Sequence, residues 1–229
     1  MKKKSSKRYK KLFEASKEKG SLKIDDVISK VKKNCTSKFD ESIDVSLLLN
    51  LKQKKEEFNL RTTVKLPNGN GKKIKVAVLC EDSKIQDAKK SGAELFNSES
   101  LIKDISAGKI QFNKLIATPA MMTKMGKLGK ILGPKGLMPN PKLGTVTNDI
   151  LSTVKALKTG QIEIKNDKDG NVGASIGKKS FPDTKIKENF NSLIETISKE
   201  KPNGIKGDFI ISAFLTSTMG ISYKLKLGK

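Results

Sequence analysis

Four lysines, Lys127, Lys130, Lys135 and Lys142, stand among glycines and prolines in the run GKLGKILGPKGLMPNPKLGTV at positions 126–146. The run belongs to a longer stretch, 105–148, that has no Asp or Glu but carries seven lysines, four prolines and, after Met125, five glycines. The chemistry open to such a segment is binding rather than bond-making. Glycine lets backbone approach a partner closely, proline stiffens the loop, and lysine supplies point charges for an anion. Together they describe a preformed cationic surface for a polyanion.

Two shorter segments hold further candidates. In SKFDES, 37–42, the ring of Phe39 can lie against a sugar or base while Lys38 meets phosphate and Ser42 donates to a hydroxyl. The alternative is that Phe39 is an ordinary core residue. In TSTMG, 216–220, three hydroxyls followed by Met219 and Gly220 can bring donors and bare backbone up to a ribose. The alternative there is a β-bulge in an edge strand. Gly126-Lys127-Leu128-Gly129 and Gly133-Pro134-Lys135-Gly136 each match the GXXG loop with which KH domains clamp a nucleic-acid backbone, a pattern short enough to arise by chance.

The whole chain repeats the basic bias: 47 Lys plus Arg against 24 Asp plus Glu give a net charge of +23 and a pI near 9.9. Solubility alone asks for a net charge of roughly 2 to 8 in a small domain, so the excess points to nucleic acid, whose phosphates reward cations. Only Arg8 and Arg61 are arginines, so 47 less two leaves 45 lysines. Lysine lacks the planar fork used to read bases bidentately. Charge therefore supplies affinity, and shape must supply specificity.

Other classes are disfavoured. There is no histidine, which removes the commonest general base near neutral pH. Two cysteines without histidine cannot complete a structural zinc site. Cys35 and Cys80 read as reduced core residues, and no cofactor or metal is expected. Neither a GxxxxGK[ST] loop nor a GxGxxG fingerprint occurs. Aromatics are only 5% with no Trp, so stacking platforms are few. The basic N-terminus has no apolar segment behind it, and no apolar run suits a membrane span; the expectation is a soluble, intracellular protein.

The elements that must position these residues follow from periodicity. Residues 2–11 hold seven basic side chains around Tyr9 and read as an arm that stays disordered until it meets phosphate. A helix capped at Asp25 runs through Val27, Ile28 and Val31 and stops before Cys35. Alternation from Ile43 to Leu51 predicts a half-buried strand. A charged connection, KQKKEEFN (52–59), leads to a strand over 61–66, which the cluster Pro67-Asn68-Gly69-Asn70-Gly71 ends. Beyond it strands at 74–79, 93–96 and 115–117 alternate with helices at 83–91, 98–107 and 121–132, the pattern of a parallel sheet covered by helices. After Thr159-Gly160 a hairpin is expected over 161–176, then a helix through Ile186, Phe190, Leu193, Ile194 and Ile197 to Pro202-Asn203-Gly204, and a last strand, 209–223, interrupted at 218–220. The fold class is thus α/β and α+β. A three-layer α/β domain, 68–159, is inserted into an α+β domain made from both ends, 1–67 and 160–229, with crossings near 67 and 160.

The run at 126–146 resembles, nearly position for position, the signature of the bacterial large-subunit ribosomal protein L-one family. SKFDESIDV at 37–45, NLRTTVKLPNG at 59–69, KNDKDG at 165–170 and TSTMG at 216–220 resemble their family counterparts in the same order. The resemblance implies a domain I of split β-α-β type from both termini and an inserted Rossmann-like domain II. It implies that domain I binds a structured junction of large-subunit ribosomal RNA. It implies too that the protein sits on the mobile stalk of the cytoplasmic ribosome, helps deacylated tRNA leave the exit site, and represses its own messenger RNA. The expected partners are those RNAs and other ribosomal components, with a monomer when free and no membrane. The implied RNA contacts are Lys38, Phe39, Ser42, Thr218, Met219 and Gly220, with Lys168 nearby. The four lysines of the acid-free run become a second cationic face suited to tRNA or ribosomal RNA. The chain departs from the family pattern at Thr62 and Asn68, commonly glycine and histidine, at Gly173, frequently histidine, and at Ser42, which replaces threonine. The rival readings are a non-specific nucleic-acid chaperone and a phosphate-handling α/β enzyme.

Overall fold

The computed structural model describes residues 6–15, 20–51, 59–96, 98–202, 205 and 207–227. Most of the connection at 52–59, and Asn203 and Gly204, lie outside them. The chain divides into two compact units, one of Met1–Gly71 and Ile164–Lys229, the other of Lys72–Glu163.

The first unit is built on a four-stranded antiparallel sheet. Its strands are β1 (Ser42–Leu49), β6 (Asn171–Lys178), β7 (Ile210–Ser217) and β8 (Tyr223–Leu225), in the order β6-β1-β7-β8. Ile43, Val45, Leu47 and Leu49 of β1 are all buried, the period of two that a half-buried strand requires. Two helices cover that face. α2 (Ile24–Lys33) buries Val27, Ile28 and Val31, and α8 (Asp183–Lys199) buries Ile186, Phe190, Leu193 and Ile197. β2 (Arg61–Lys65) pairs with β5 (Gln161–Lys165) in a separate two-stranded sheet.

The segment 68–70 is pinned by Asn189 of α8, whose side chain is fully buried. Its oxygen accepts the Asn68 amide at 3.1 Å, and its nitrogen donates to the carbonyls of Gly69 at 2.8 Å and Ile176 at 2.7 Å. A buried amide with its hydrogen bonds made is stable where an unpaired one is costly. Two of the departures noted above contact opposite ends of this helix: Asn68 Nδ2 donates to Glu188, near its start, at 2.7 Å, and the Thr62 hydroxyl to Glu200, its C-cap, at 3.2 Å.

Of the basic arm expected at 2–11, residues 2–5 lie outside the described residues, and the rest departs from expectation. Residues 7–15 form a helix, α1 (Lys7–Ala15), rather than a disordered tail. Ser6 starts it by accepting the Tyr9 amide on its hydroxyl at 3.3 Å and the Lys10 amide on its carbonyl at 3.0 Å, an N-cap arrangement, and Leu12 buries its side chain. In α2, Asp25 is not the cap: Lys23 holds that position without a side-chain hydrogen bond, and Asp25 pairs with Lys187 at 2.8 Å. The expected hairpin over 161–176 reduces to one bridge, Asn166 to Val172, because β5 and β6 belong to different sheets. The interrupted last strand is two antiparallel strands, β7 and β8, so 218–220 lies between paired strands and is no edge-strand bulge.

In the turn before β6, Gly170 has φ +84, and a Cβ there would sit 3.0 Å from the Leu49 carbonyl oxygen. That left-handed conformation costs other residues about 1–2 kcal/mol. Gly170→Ala is expected to lower stability by about 2 kcal/mol at unchanged denaturant dependence in urea unfolding; a loss under about 0.5 kcal/mol would contradict the strain.

The second unit centres on two parallel strands, β3 (Val76–Leu79) and β4 (Lys114–Ala117). Single parallel bridges extend them on either side, Ala77 to Leu95 and Ala117 to Val146. The expected strand at 93–96 is only this bridge, because the Glu94 carboxylate takes the Val76 amide at 2.8 Å and also holds Lys158 at 2.9 Å. Alternate strand residues feed two apolar clusters. Ala77, Leu79, Leu115 and Ala117 join Leu101 and Ile105 of α4 (Ser98–Ser106). Val76, Val78 and Ile116 join Ala88 of α3 (Ile85–Lys90) and Ile150, Val154 and Leu157 of α7 (Ile150–Thr159). The expected helix over 121–132 is broken into short turns that include α5 (Met122–Met125) and α6 (Gly129–Leu132). Gly126 and Gly129 weaken its continuity, yet Met121, Met125, Leu128 and Leu132 still bury a helical stripe. No described helix is long and apolar enough to cross a membrane.

Candidate nucleic-acid interface

The site assembles where β1 begins, because β1 and β7 pair antiparallel and their register sets Ile43 opposite Ser217. Residues 36–41, entering β1, therefore meet residues 218–220, leaving β7. Thr218 locks the meeting point. Its amide donates to the Ser42 carbonyl at 3.1 Å, and its hydroxyl accepts the Ser42 amide at 3.0 Å.

Glu41 ties the two segments more deeply. Its side chain is 0% exposed. One carboxylate oxygen accepts the Ser37 amide at 3.0 Å and the other the Met219 amide at 3.1 Å. Burial pushes the pKa of this group up, but the pull of the neighbouring Ser217 hydroxyl and the donated Ser37 and Met219 amides outweighs it, and the carboxyl lies below its ordinary range. The Ser217 oxygen is itself buried without a partner of good hydrogen-bond geometry, so its influence on Glu41 is one of proximity. Across the turn, Arg8 of α1 donates to the Met219 carbonyl and to the Thr36 hydroxyl, each at 2.8 Å. Both backbone polar groups of Met219 are thus held by charged side chains, the amide by an acid and the carbonyl by a base.

The 36–41 loop is also fastened to Lys179 and Ser180, just after β6. Asp40 accepts the Ser180 amide at 3.1 Å and its hydroxyl at 2.8 Å, and Lys179 Nζ donates to the Cys35 carbonyl at 2.8 Å. Between these anchors Phe39 is 53% exposed, and Met219, hydrogen-bonded to Glu41, is 48% exposed. Large apolar side chains left in water on a rigid backbone are a feature of binding surfaces. Phe39 is therefore not a core residue. Lys38 is exposed beside it, and among the described residues nothing pairs with the Ser42 hydroxyl. The Thr218 hydroxyl, in contrast, is engaged with Ser42 and offers a ligand less than the sequence suggested.

Lys168 does not join this cluster. It occupies the turn before β6, next to Asp167, whose carboxylate is held below its ordinary pKa by the Asn171 side chain and amide. Asn171 faces Leu48, whereas Lys178 faces Ser42; six steps along β1 at about 3.3 Å each separate the two ends by roughly 20 Å. Gly173 lies on exposed β6 surface, and a Cβ there would meet nothing within 4 Å. Cys35 and Cys80 are buried and form no disulfide, and burial raises the pKa of the Cys35 thiol.

In the second unit Lys127, Lys130, Lys135 and Lys142 are all exposed, and among the described residues none forms an ion pair. The loop carrying Lys142 is stitched in place: Asn140 Oδ1 accepts the Lys142 amide at 2.9 Å and the Thr145 hydroxyl accepts the Asn140 amide at 2.8 Å. The first GXXG segment, 126–129, winds as helical turns and forms no open clamp.

The Ribosomal protein L1p/L10e family model matches residues 31–221, a span that takes in most of this interface and both units. The chain belongs to that family. Among its relatives, the large ribosomal subunit protein uL1 of Pelagibacter ubique is 57% identical over 98% of this chain and 98% of its own length. That of Kosmotoga olearia is 46% identical over 97% and 96%, and that of Prochlorococcus marinus subsp. pastoris is 48% identical over 86% and 84%. As a ribosomal L1-family protein the chain is not an enzyme, which removes the phosphate-handling alternative. From the sequence, Glu41 receives no role, and Arg8 and Tyr9 fall only in a phosphate-seeking arm, not at this interface. Glu41 had a readable signal, since it stands in phase with Ile43, Val45, Leu47 and Leu49 on the buried face of β1.

Proposed function

We propose that this L1-family protein is a structural constituent of the large ribosomal subunit that grips the stalk junction of the large-subunit ribosomal RNA. The grip consists of Lys38, Phe39, Ser42 and the Thr218–Gly220 turn, and Lys168, in the turn before β6, serves as a distant phosphate contact. The carrying observation is that Phe39 and Met219 stand exposed on backbone fixed by one buried carboxylate. A preformed surface binds without first ordering its loops, which raises affinity for RNA of matching shape. Residues 1–67 and 160–229 act as the RNA-binding domain I, of split β-α-β type. Residues 68–159 act as a Rossmann-like domain II on the mobile stalk, where Lys127, Lys130, Lys135 and Lys142 face tRNA or ribosomal RNA and assist release of deacylated tRNA. The same domain I surface, offered a messenger that mimics the junction, represses translation of its own messenger RNA. The protein works in the cytoplasm on the ribosome, with other ribosomal components as neighbours, and is a monomer when free.

Filter binding of a stalk-junction fragment and of a random RNA of equal length, across a salt series, tests the reading. At near-physiological salt the junction is expected to bind at least about 1,000-fold more tightly. A steep salt slope with no preference would favour the non-specific chaperone. In the same assay Lys130→Glu with Lys135→Glu is expected to leave junction affinity within about twofold while slowing tRNA release from ribosomes; lost junction binding would refute the division of labour.

A further inference from the structure

We propose that helix α1 completes the RNA surface by forming, with the Thr218–Gly220 turn, a recess for one unstacked nucleotide. This rests on the RNA-binding reading above and adds to it a second subsite with its own residues.

The recess has a volume of about 320 Å³ and is lined by Ser6, Arg8, Tyr9, Thr218, Met219 and Gly220. That is at the small end of the roughly 300–1,000 Å³ typical of small-molecule pockets, a size for a single nucleotide rather than a paired segment. Its walls have the chemistry for a base. Tyr9 is 40% exposed and Met219 48% exposed. An aromatic face stacks on any base, and a polarizable thioether adapts to it. Arg8 uses two N–H groups on Thr36 and Met219, which fixes the plane of its guanidinium at the recess and leaves its remaining donors for the ligand. Lys7, Lys10 and Lys11 lie exposed on the same helix, so a nucleotide entering the recess brings its phosphates to cations. Unpaired bases splayed onto aromatic and arginine planes are the usual means of sequence-specific RNA recognition. The recess thus supplies the hold on an unstacked base that a lysine-rich surface otherwise lacks.

Arg8 is a positioning residue in this scheme, and Tyr9 is the stacking residue. A purely structural role for α1 predicts that Tyr9, which is 40% exposed, can be changed without effect on RNA. The test compares the full chain with Tyr9→Leu, Tyr9→Phe and Arg8→Lys, using the stalk-junction fragment and a random RNA across a salt series, with thermal unfolding alongside. Tyr9→Leu is expected to bind the junction about tenfold more weakly with unchanged melting, since one stacked base is lost. Tyr9→Phe keeps the ring and is expected within about twofold of wild type. Arg8→Lys keeps the charge but cannot bridge Thr36 and Met219, so affinity falls about tenfold while the salt slope stays unchanged. Junction binding by Tyr9→Leu equal to wild type overturns the subsite, as does a Tyr9→Phe loss as large as that of Tyr9→Leu. Arg8→Lys binding like wild type overturns the positioning role. A wild-type chain without junction preference overturns the RNA-binding reading itself, an outcome visible before any variant is compared.

Discussion

Glu41→Gln is expected to weaken junction binding about 100-fold and to cost about 3 kcal/mol of stability. The carboxylate accepts the Ser37 amide on one oxygen and the Met219 amide on the other, with no exposure to water. A glutamine in its place has one acceptor and one donor, so one of the two amides faces an N–H group and loses its partner. Hydrogen bonds to a charged acceptor contribute about 1.5–3 kcal/mol each, and a buried donor left unpaired adds its desolvation cost. The loss of affinity follows because the segment bearing Phe39 and the turn bearing Met219 are no longer tied at one spacing. Urea unfolding and filter binding measure the two effects, and intact binding in a destabilised variant would show that Glu41 supports the fold without setting the surface.

The same carboxylate gives a pH dependence. Its folded pKa lies below the ordinary glutamate value because the donated hydrogen bonds outweigh burial. The stability it contributes is therefore complete above the unfolded pKa, roughly pH 4 to 5, and is lost as the pH falls through the folded value. Acid unfolding of Glu41→Gln lacks this component, so the gap in stability between wild type and variant narrows as the pH drops. A gap that widened would mean that the carboxyl is protonated more readily in the folded state than in the unfolded one.

The regular elements were readable where one interaction dominated. β1 and α8 bury apolar residues at periods of two and 3.6, and the one polar side chain on the buried face of α8, Asn189, leaves that pattern intact. The misreadings arose where polar side chains replaced backbone partners. Glu94 takes a strand's place at the Val76 amide, and Ser6 starts a helix in a segment whose charge alone suggested disorder. Which strands share a sheet was not readable at all: β5 and β6 are joined by a short turn, yet their side chains serve different surfaces, and only tertiary packing decides that. At the candidate interface, residue types were visible but adjacency was not. The joining of 36–41 to 218–220 depends on the β1–β7 register, set by strands about 170 residues apart. The same register leaves Lys168 at the opposite end of the sheet.

Phe39→Ala and Met219→Ala are each expected to weaken junction binding about 30-fold, equivalent to about 2 kcal/mol, without lowering stability. At 53% and 48% exposure neither side chain contributes much to the core, so truncation removes little buried area from the free protein. In the complex each side chain is buried against RNA, and each is carried by backbone that Glu41, Arg8, Asp40 and Thr218 already hold. The contact is apolar, so the slope of affinity against salt stays as in wild type. Lys10→Ala serves as the contrast: loss of one exposed cation on α1 reduces affinity about threefold and lowers the salt slope by about one. Shape then governs specificity while lysine charge governs general affinity. Equal small losses for all three variants, each with a reduced slope, would instead make the binding electrostatic throughout and would remove Phe39 and Met219 from the contact surface.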